Sequence, residues 1–442
     1  MIQEERVRVL RPGPPARGRY VLYWMQASVR AEDNHALEYA ALRARELGVP
    51  LMVYFGLTTT YPEANARSFL FLLEGLRDAR DGLRARGLDL VVLDREAPEG
   101  ALELSREACL VVTDRAYLRH LREWRARLAE RAEVPVVQVE GDAVVPVDTA
   151  SGKQEWAART LRPKVQRLME RYLVPVEVTP DVTGYTGVTL EVDVSDPEGL
   201  VERLGTDTSV GPGAERGGSR AALARLSAFV DEHLGRYDRE RNDPNAGVAS
   251  RLSAYLHYGH LSPLRVALEA HAHPASASFL EELVVRRELS LNFCEFNPLY
   301  DRYEGLPRWA RETLEKHAAD PRPHLYDRAT FEASDTHDAA WNAANNEMKR
   351  TGRMANYMRI YWGKKVLEWS ASPQEAYATL LSLNNKYFLD GRNPNSYTNV
   401  AWVFGSHDRP WGERPVYGTV RSASEGGLRR KFDVDAYVRR WT

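Results

Sequence analysis

The chain has 442 residues, enough for two or three domains with large cores, and its 43% hydrophobic and 28% charged residues describe an ordinary soluble globular protein. With a formal net charge of -2, composition excludes a globally basic nucleic-acid binder, so any phosphate-binding surface has to be a local patch. Cys109 and Cys294 are isolated, outside any Cys-x-x-Cys pair or Cys/His cluster, which argues against a disulfide framework and a structural zinc, and no metal is expected.

Residues 1 to 20 mix charge with proline and glycine and lack the apolar run of a signal peptide. A cytoplasmic protein without a membrane segment is expected. Residues 20–24 form a short aromatic and β-branched run that reads as a buried strand, followed by a helix over 34–47 and a strand over 49–55. The rhythm continues with a helix over 69–86, a strand over 88–93, a helix over 101–107, a strand over 109–113, a helix over 117–131 and a strand over 134–139. Strands alternating with helices predict an α/β domain over residues 1–140, a doubly wound, parallel, Rossmann-like sheet. Ligands of such sheets sit beyond the carboxyl ends of the strands, here residues 25–30 and 113–115.

Residues 213–219 mimic part of a phosphate loop, but the required lysine and the preceding strand are missing, so they read as linker. The interdomain linker is set at 141–220, because residues 174–220 have little periodicity and many Gly, Thr, Asp and Pro. From residue 221 strand signals largely vanish. Helices are predicted over 221–234, 253–257, 263–270, 278–293 and 306–317, giving a second, all-α domain over 221–442.

Chemistry concentrates in that second domain. Ser250 and Ser253 stand at a loop-to-helix junction, where serines cap backbone donors and the exposed N–H groups suit a pyrophosphate. Residues 281–294, which include Glu282, form an amphipathic, charge-rich helix that reads as a solvated or ion-paired face. A helix over 353–369 puts Trp362 and Trp369 on one face, about 10 Å apart at roughly 1.5 Å per residue. Trp341 lies on a preceding helix from about 335 to 352, whose antiparallel return brings it beside them. The three rings are either ordinary core or an aligned row. Arg359 and Asp390 suit an ion pair lying over a π system, or a surface ion pair. The loop 390–396 holds the turn formers Gly391 and Asn393-Pro394.

Four segments occur in order: Trp341-Asn-Ala-Ala-Asn-Asn-Glu-Met, Tyr357-Met-Arg-Ile-Tyr-Trp-Gly-Lys-Lys-Val-Leu-Glu-Trp, Leu389-Asp-Gly-Arg-Asn-Pro-Asn-Ser-Tyr and His407-Asp-Arg-Pro-Trp-Gly-Glu-Arg-Pro-Val-Tyr-Gly. Together they closely resemble class II cyclobutane pyrimidine dimer (CPD) photolyases, light-driven DNA-repair flavoproteins. Residues 23–34 and 157–164 resemble further family segments. The resemblance implies FAD in the helical domain, active when reduced, contacted by Tyr237, Ser250, Leu252, Ser253, Arg359, Asp390 and Asn393. It implies Asn384 beside the reactive flavin nitrogen, where an amide can either donate or accept. Glu282 would meet the dimer, Trp402 would stack on it, and Arg421 would contact DNA. Trp362, Trp341 and Trp369 would carry electrons in from the surface. The partner would be double-stranded DNA containing a pyrimidine dimer, bound by a monomer, with a second antenna chromophore of unknown identity in the α/β domain.

Three positions depart from the family pattern: Asn393 replaces an aspartate, Met354-Ala-Asn replaces Met-His-Gly, and Ser-Ala-Ser follows Arg421. Two other functions share these motifs. A cryptochrome-like blue-light sensor would signal without repair, against which stands the short stretch after the 431–437 segment, and a flavoprotein of a third kind would bind nucleic acid without catalysis.

Overall fold

The computed structural model describes residues 2–187 and 192–442. Val7–Arg11 (β1), Tyr20–Trp24 (β2), Leu51–Gly56 (β3), Leu90–Leu93 (β4), Ala108–Asp114 (β5) and Val136–Val139 (β6) build one sheet in the order β1-β6-β5-β2-β3-β4. Strands β2 to β6 pair in parallel and are buried along their whole length. Burial on both faces is why they read as continuous apolar runs without polar alternation. His35–Leu47 (α1) and Ala66–Arg84 (α2) cover one face, packing on Val21, Tyr23 and Val53. Ala97–Ser105 (α3) and Arg119–Arg131 (α4) cover the other, packing on Tyr20, Leu22, Trp24 and Met52. The sheet is doubly wound, as expected.

Two features differ from the sequence expectation. β1 runs antiparallel to β6 at the sheet edge, so the sheet is mixed. Its Val-Arg-Val-Leu-Arg sequence is only partly buried and carries none of the apolar run that marks the inner strands. The expected linker also contains structure. Helix Ala158–Tyr172 buries Leu161, Val165 and Tyr172 among residues of the helical domain. Helix Pro197–Arg203, with Val192, Val194 and Leu200, adds to the core beneath α1 and α2. The buried residues 161, 165 and 172 of the longer helix do recur at helical spacing, within a strongly charged segment, whereas the second contribution is too short to produce a period.

The helical domain holds a large core around the helices Ala339–Thr351, Asn356–Trp369, Pro373–Tyr387 and Pro394–Val403. Their ends follow standard local chemistry. The Asp338 carboxylate accepts from the Trp341 N–H at 2.9 Å, the Ser372 hydroxyl accepts from the Glu375 N–H, and Gly352 stops the first helix in the left-handed region at φ 78°.

The two domains are sewn together by buried polar groups. Arg67 of α2 donates to the carbonyls of Gly211, Met348, Lys349 and Tyr387, so one guanidinium satisfies the open carboxyl ends of two helices of the helical domain. Arg30 donates to the Gly259 carbonyl. At Gly259 (φ 73°) a Cβ would lie 2.0 Å from the Ala27 carbonyl oxygen, so glycine is required for this approach. The 213–219 segment runs along the same seam: the N–H of Gly217 is taken by Glu74 and that of Gly218 by His260, in keeping with a linker and leaving neither amide for a phosphate.

Candidate active site

The aromatic row is real geometry. Trp341 and Trp362 stack with centroids 6.4 Å apart at 14°, and Trp341 meets Trp369 at 6.2 Å and 64°, so Trp341 is the middle ring. Each polar edge of the first two is satisfied: Trp362 Nε1 donates to Asn345 Oδ1 at 3.0 Å, and Trp341 Nε1 donates to the Trp362 carbonyl at 3.0 Å. The rings are also core, at 0% (Trp341), 2% (Trp362) and 2% (Trp369) exposed. Core and row are therefore one arrangement, and the row ends short of solvent.

At its inner end Trp362 meets Phe388 edge-on at 6.2 Å. The Arg359 guanidinium lies 3.7 Å over the Phe388 ring and pairs with Asp390 at 2.9 Å. Burial opposes ionisation of Asp390, but the Arg359 charge and hydrogen bond outweigh it and hold the carboxyl below its usual range. The Asp390 loop folds back against the helix that carries Asn384. At Gly391 a Cβ would lie 2.8 Å from the Asn384 carbonyl oxygen and 2.9 Å from that of Phe388, so the turn needs glycine for space. Asn384 itself is buried and donates to Asn385 Oδ1 at 3.2 Å. Phe388 is a member of this pocket that sequence reasoning did not single out, since an isolated phenylalanine carries no signal.

Ser253 is exposed, its hydroxyl hydrogen-bonded to Asp390, whereas Leu252 is buried and Ser250 partly so. The helix behind them, Ser253–His257, has only five residues, so its dipole is weak. Positive charge comes from elsewhere. Arg225, Arg251 and Arg353 all converge on the one carboxylate of Glu215, at 3.4, 3.9 and 3.6 Å, with the Glu347 carboxyl also acting on Arg251 and Arg353. The buried Nε atoms of Arg353 and Arg359 have no hydrogen-bond partner. A redox-active dinucleotide fits this chemistry: a polyanion beside the arginine cluster and a ring system beside Arg359, Asp390 and Asn384.

Asn393 uses both ends of its amide. Its Oδ1 caps the Pro394–Val403 helix by accepting from the Asn395 N–H, and its Nδ2 donates to His257 Nδ1 at 3.0 Å. Burial, then the charge of Arg392, lowers the His257 pKa to about 3, so the ring stays neutral and can accept. An aspartate would lack that donor, which gives the departure at this position a physical reason.

A second wall runs from Tyr237 to Trp402. The Arg241 guanidinium lies 5.7 Å over Tyr237 and pairs with Glu282 at 2.7 Å; Glu282 lies 3.5 Å from Arg286, whose guanidinium sits 5.3 Å over the Trp402 ring. Glu282 and Arg286 belong to a π-helical turn, Glu281–Arg286, a local widening that is frequent at functional sites. Beyond Trp402 lies His407, 6.2 Å away edge-on, whose Nδ1 donates to the Trp156 carbonyl. Burial lowers its pKa to about 4, and its Nε2 is buried with no partner. Arg241, Arg286 and His407 were missed in the sequence because ordinary helix-face arginines and a loop histidine look the same there.

Arg421 is exposed and lies 5.2 Å over Trp411, with Arg409 5.3 Å from the same ring, so it belongs to a surface cluster of its own. Arg429 is paired with Glu425 and Asp435. A separate cavity of about 140 Å³ lies beyond the carboxyl ends of β2 and β3, lined by Met25, Phe55, Tyr61 and Trp124 and closed by Tyr258 and Arg392 of the helical domain. It is where a doubly wound sheet is expected to take a ligand.

The DNA photolyase family model matches residues 21–181. A deoxyribodipyrimidine photo-lyase of Methanothermobacter thermautotrophicus is 46% identical, over 100% of this chain and 98% of its own. One of Oryza sativa subsp. japonica is 41% identical over 98% of this chain and 89% of its own. Among solved structures, an archaeal photolyase from Sulfolobus tokodaii with two FAD molecules superimposes with a TM-score of 0.72 at 15% identity, covering 96% of this chain and 90% of that one.

Proposed function

The chain belongs to the deoxyribodipyrimidine photo-lyase family, and on that premise we propose that it repairs cyclobutane pyrimidine dimers in DNA with light, using FAD in its reduced form. The observation that carries the reading is the meeting of the Trp362–Trp341–Trp369 row with the Arg359–Asp390 pocket. The Glu282–Arg286–Trp402 wall lies in the same helical domain. Held by these residues, a reduced flavin would supply light-driven one-electron chemistry to the dimer.

The protein's own residues do the rest. Arg225, Arg251 and Arg353 with Ser250 and Ser253 hold the diphosphate, Leu252 and Tyr237 pack beside it, and Arg359, Asp390, Asn384 and Asn393 fix the ring end. Trp402 gives the extruded dimer an aromatic face, and Glu282, held by Arg241 and Arg286, presents a carboxylate to its polar edge. A damaged step is cheaper to unstack than an intact one, which favours extrusion from the duplex. Arg409, Trp411 and Arg421 contact the flanking backbone. Trp362, Trp341 and Trp369 pass electrons inward to restore the reduced cofactor, and the α/β cavity takes a second, light-harvesting chromophore. The protein acts as a monomer in the cytoplasm.

The test is illumination of the flavin-loaded protein with a reductant and ultraviolet-damaged oligothymidine, scored for binding and repair side by side. Repair is the expected result. Dimer binding without repair under blue light would leave a passive binder, and flavin photochemistry with neither would leave a light sensor.

A further inference from the structure

Two of the chain's tryptophans are exposed, Trp411 at 42% and Trp156 at 48%, and each lies under an arginine. Trp411 belongs to the loop that follows Trp402. Trp156 comes from the segment between the two domains, yet it reaches the same place. Its carbonyl accepts from Nδ1 of His407 at 3.1 Å, and the His407 ring meets Trp402 edge-on at 6.2 Å. The Arg159 guanidinium lies 4.4 Å over the Trp156 ring, which covers one face of the indole and leaves the remainder in water.

A single exposed tryptophan needs no special reason; what sets Trp156 apart is how firmly its segment is held. Asn292, buried in the helix Arg287–Phe296, spends both ends of its amide there: Oδ1 accepts from the Glu155 N–H at 2.7 Å, and Nδ2 donates to the Lys153 carbonyl at 2.9 Å. The Glu155 carboxylate accepts from Ser151 Oγ at 2.6 Å and pairs with Lys164. Just past Arg159, Arg162 makes a forked pair with Glu281 at 2.9 and 2.7 Å, in the π-helical turn that also carries Glu282 and Arg286. Fully used amides and forked ion pairs specify a geometry, so the backbone that presents the indole is preset against the Glu282–Trp402 wall.

Charge follows the same line. Lys153 and Arg159 are exposed and have no carboxylate ion-pair partner among the described residues, since Glu155 is taken by Lys164 and Glu281 by Arg162. A fixed aromatic face flanked by two unpaired cations suits a nucleic-acid strand, the ring stacking on a base and the cations meeting phosphates.

We propose that Trp156, Arg159 and Lys153 form a second lip of the DNA-binding mouth, Trp156 stacking on a base next to the extruded dimer and the two cations holding the phosphates on that side. The proposal rests on the reading of the protein as a binder of dimer-containing DNA. Extrusion of a dimer breaks the stack on either side of it, so a neighbouring base is left with an open face at the mouth. Trp402 takes the dimer, Trp156 takes the base beside it, and His407 sets the spacing between the two rings.

The experiment uses the flavin-loaded, reduced protein with two substrates, a thymine dimer within an oligonucleotide duplex and the same dimer as an isolated dinucleotide, which has no flanking base. Wild type should bind and repair both. Trp156→Ala should weaken binding of the oligonucleotide about tenfold, with flavin content and repair of the dinucleotide unchanged. Trp156→Phe, which keeps an aromatic face, should recover most of the loss. Arg159→Gln should lower the slope of log affinity against log salt by about 1. Unchanged oligonucleotide affinity in Trp156→Ala, or an unchanged slope in Arg159→Gln, overturns the proposal. So does an equal loss on both substrates, which would make the segment a support for His407 and the Trp402 pocket. A wild type that repairs neither substrate overturns the photolyase reading itself.

Discussion

Trp362 is where packing and redox chemistry can be separated in one side chain. Its indole N–H is the buried donor to Asn345 Oδ1, and Asn345 is otherwise spent on Phe331 and Ser334. Trp362→Phe keeps most of the apolar area but orphans that acceptor, so a loss of about 1 to 2 kcal/mol in denaturant unfolding is expected. Photoreduction of oxidised flavin should be lost, because phenylalanine is much harder to oxidise than tryptophan. Repair by enzyme reduced chemically beforehand should persist, and normal photoreduction would return Trp362 to a purely structural role. Glu282 poses a different question. Between Arg241 and Arg286 its carboxylate looks like half of a common ion pair, and charge patterning along residues 281–294 reads it that way. What separates it from its neighbours is its place on the wall that ends at Trp402. Glu282→Ala should lower the repair yield per absorbed photon several-fold with near-normal flavin content; an unchanged yield would remove it from the site.

At the scale of elements, the helix Pro394–Val403 carries Trp402 almost at its C-terminus, where open carbonyls make helices fray. Two residues of the tryptophan helix hold that end. Gly363 lets Val403 approach so closely that a Cβ would lie 2.6 Å from its Cγ2, and the buried Lys364 amine donates to the Val403 carbonyl. Burial lowers the Lys364 pKa to about 7, with Asp408 opposing and Arg421 adding to the shift, so near neutrality part of the population already holds a neutral amine. Lys364→Met should therefore change stability by only about 1 kcal/mol, since a lost hydrogen bond is offset by the removal of a desolvated amine. It should weaken binding of dimer-containing DNA several-fold by loosening Trp402, measured by fluorescence anisotropy; unchanged affinity would mean that the Gly363 contact alone sets the helix end. Elements with strong apolar patterns were legible in the sequence, as the five parallel strands and the tryptophan helices show. β1 and the Val192, Val194 and Leu200 contacts were not, because a polar edge strand and two-residue core contributions leave no period to read. The same holds in the site. Arg359, Asp390 and the tryptophans stood out by spacing or family motif, whereas Phe388 and Arg286 act only through neighbours that the fold supplies.

The whole molecule is slightly acidic yet is expected to bind a polyanion, so its charge must be segregated. Arg409, Arg421, Arg430 and Lys431 are exposed and have no carboxylate ion-pair partner among the described residues. If these four meet phosphates, affinity for damaged duplex should fall about a hundredfold between 50 and 200 mM salt; a flat salt dependence would exclude them. The two domains respond to pH through a buried group at their junction. Glu288 in helix Arg287–Phe296 accepts from the N–H of Val144 at 2.6 Å and of Val145 at 3.3 Å, just past β6. Burial raises its pKa to about 8, against the pull of those amides and of Arg287, with Glu140 adding to the rise; Arg6 also faces it. The unfolded carboxyl titrates near 4.5, so between that pH and about 8 the folded state holds a proton that the unfolded state releases. Stability from this group is complete below pH 4.5 and is lost as pH rises through 8, with a slope of up to about 1.4 kcal/mol per unit. Glu288→Gln preserves an acceptor for the two amides but cannot titrate. Denaturant unfolding at pH 5.5, 6.5 and 7.5 should show the variant gaining on the wild type at each step. Parallel stability curves would mean that the carboxylate is already ionised in the folded protein, held by Arg287 and Arg6, and that the domain seam is an ion-pair junction at neutral pH.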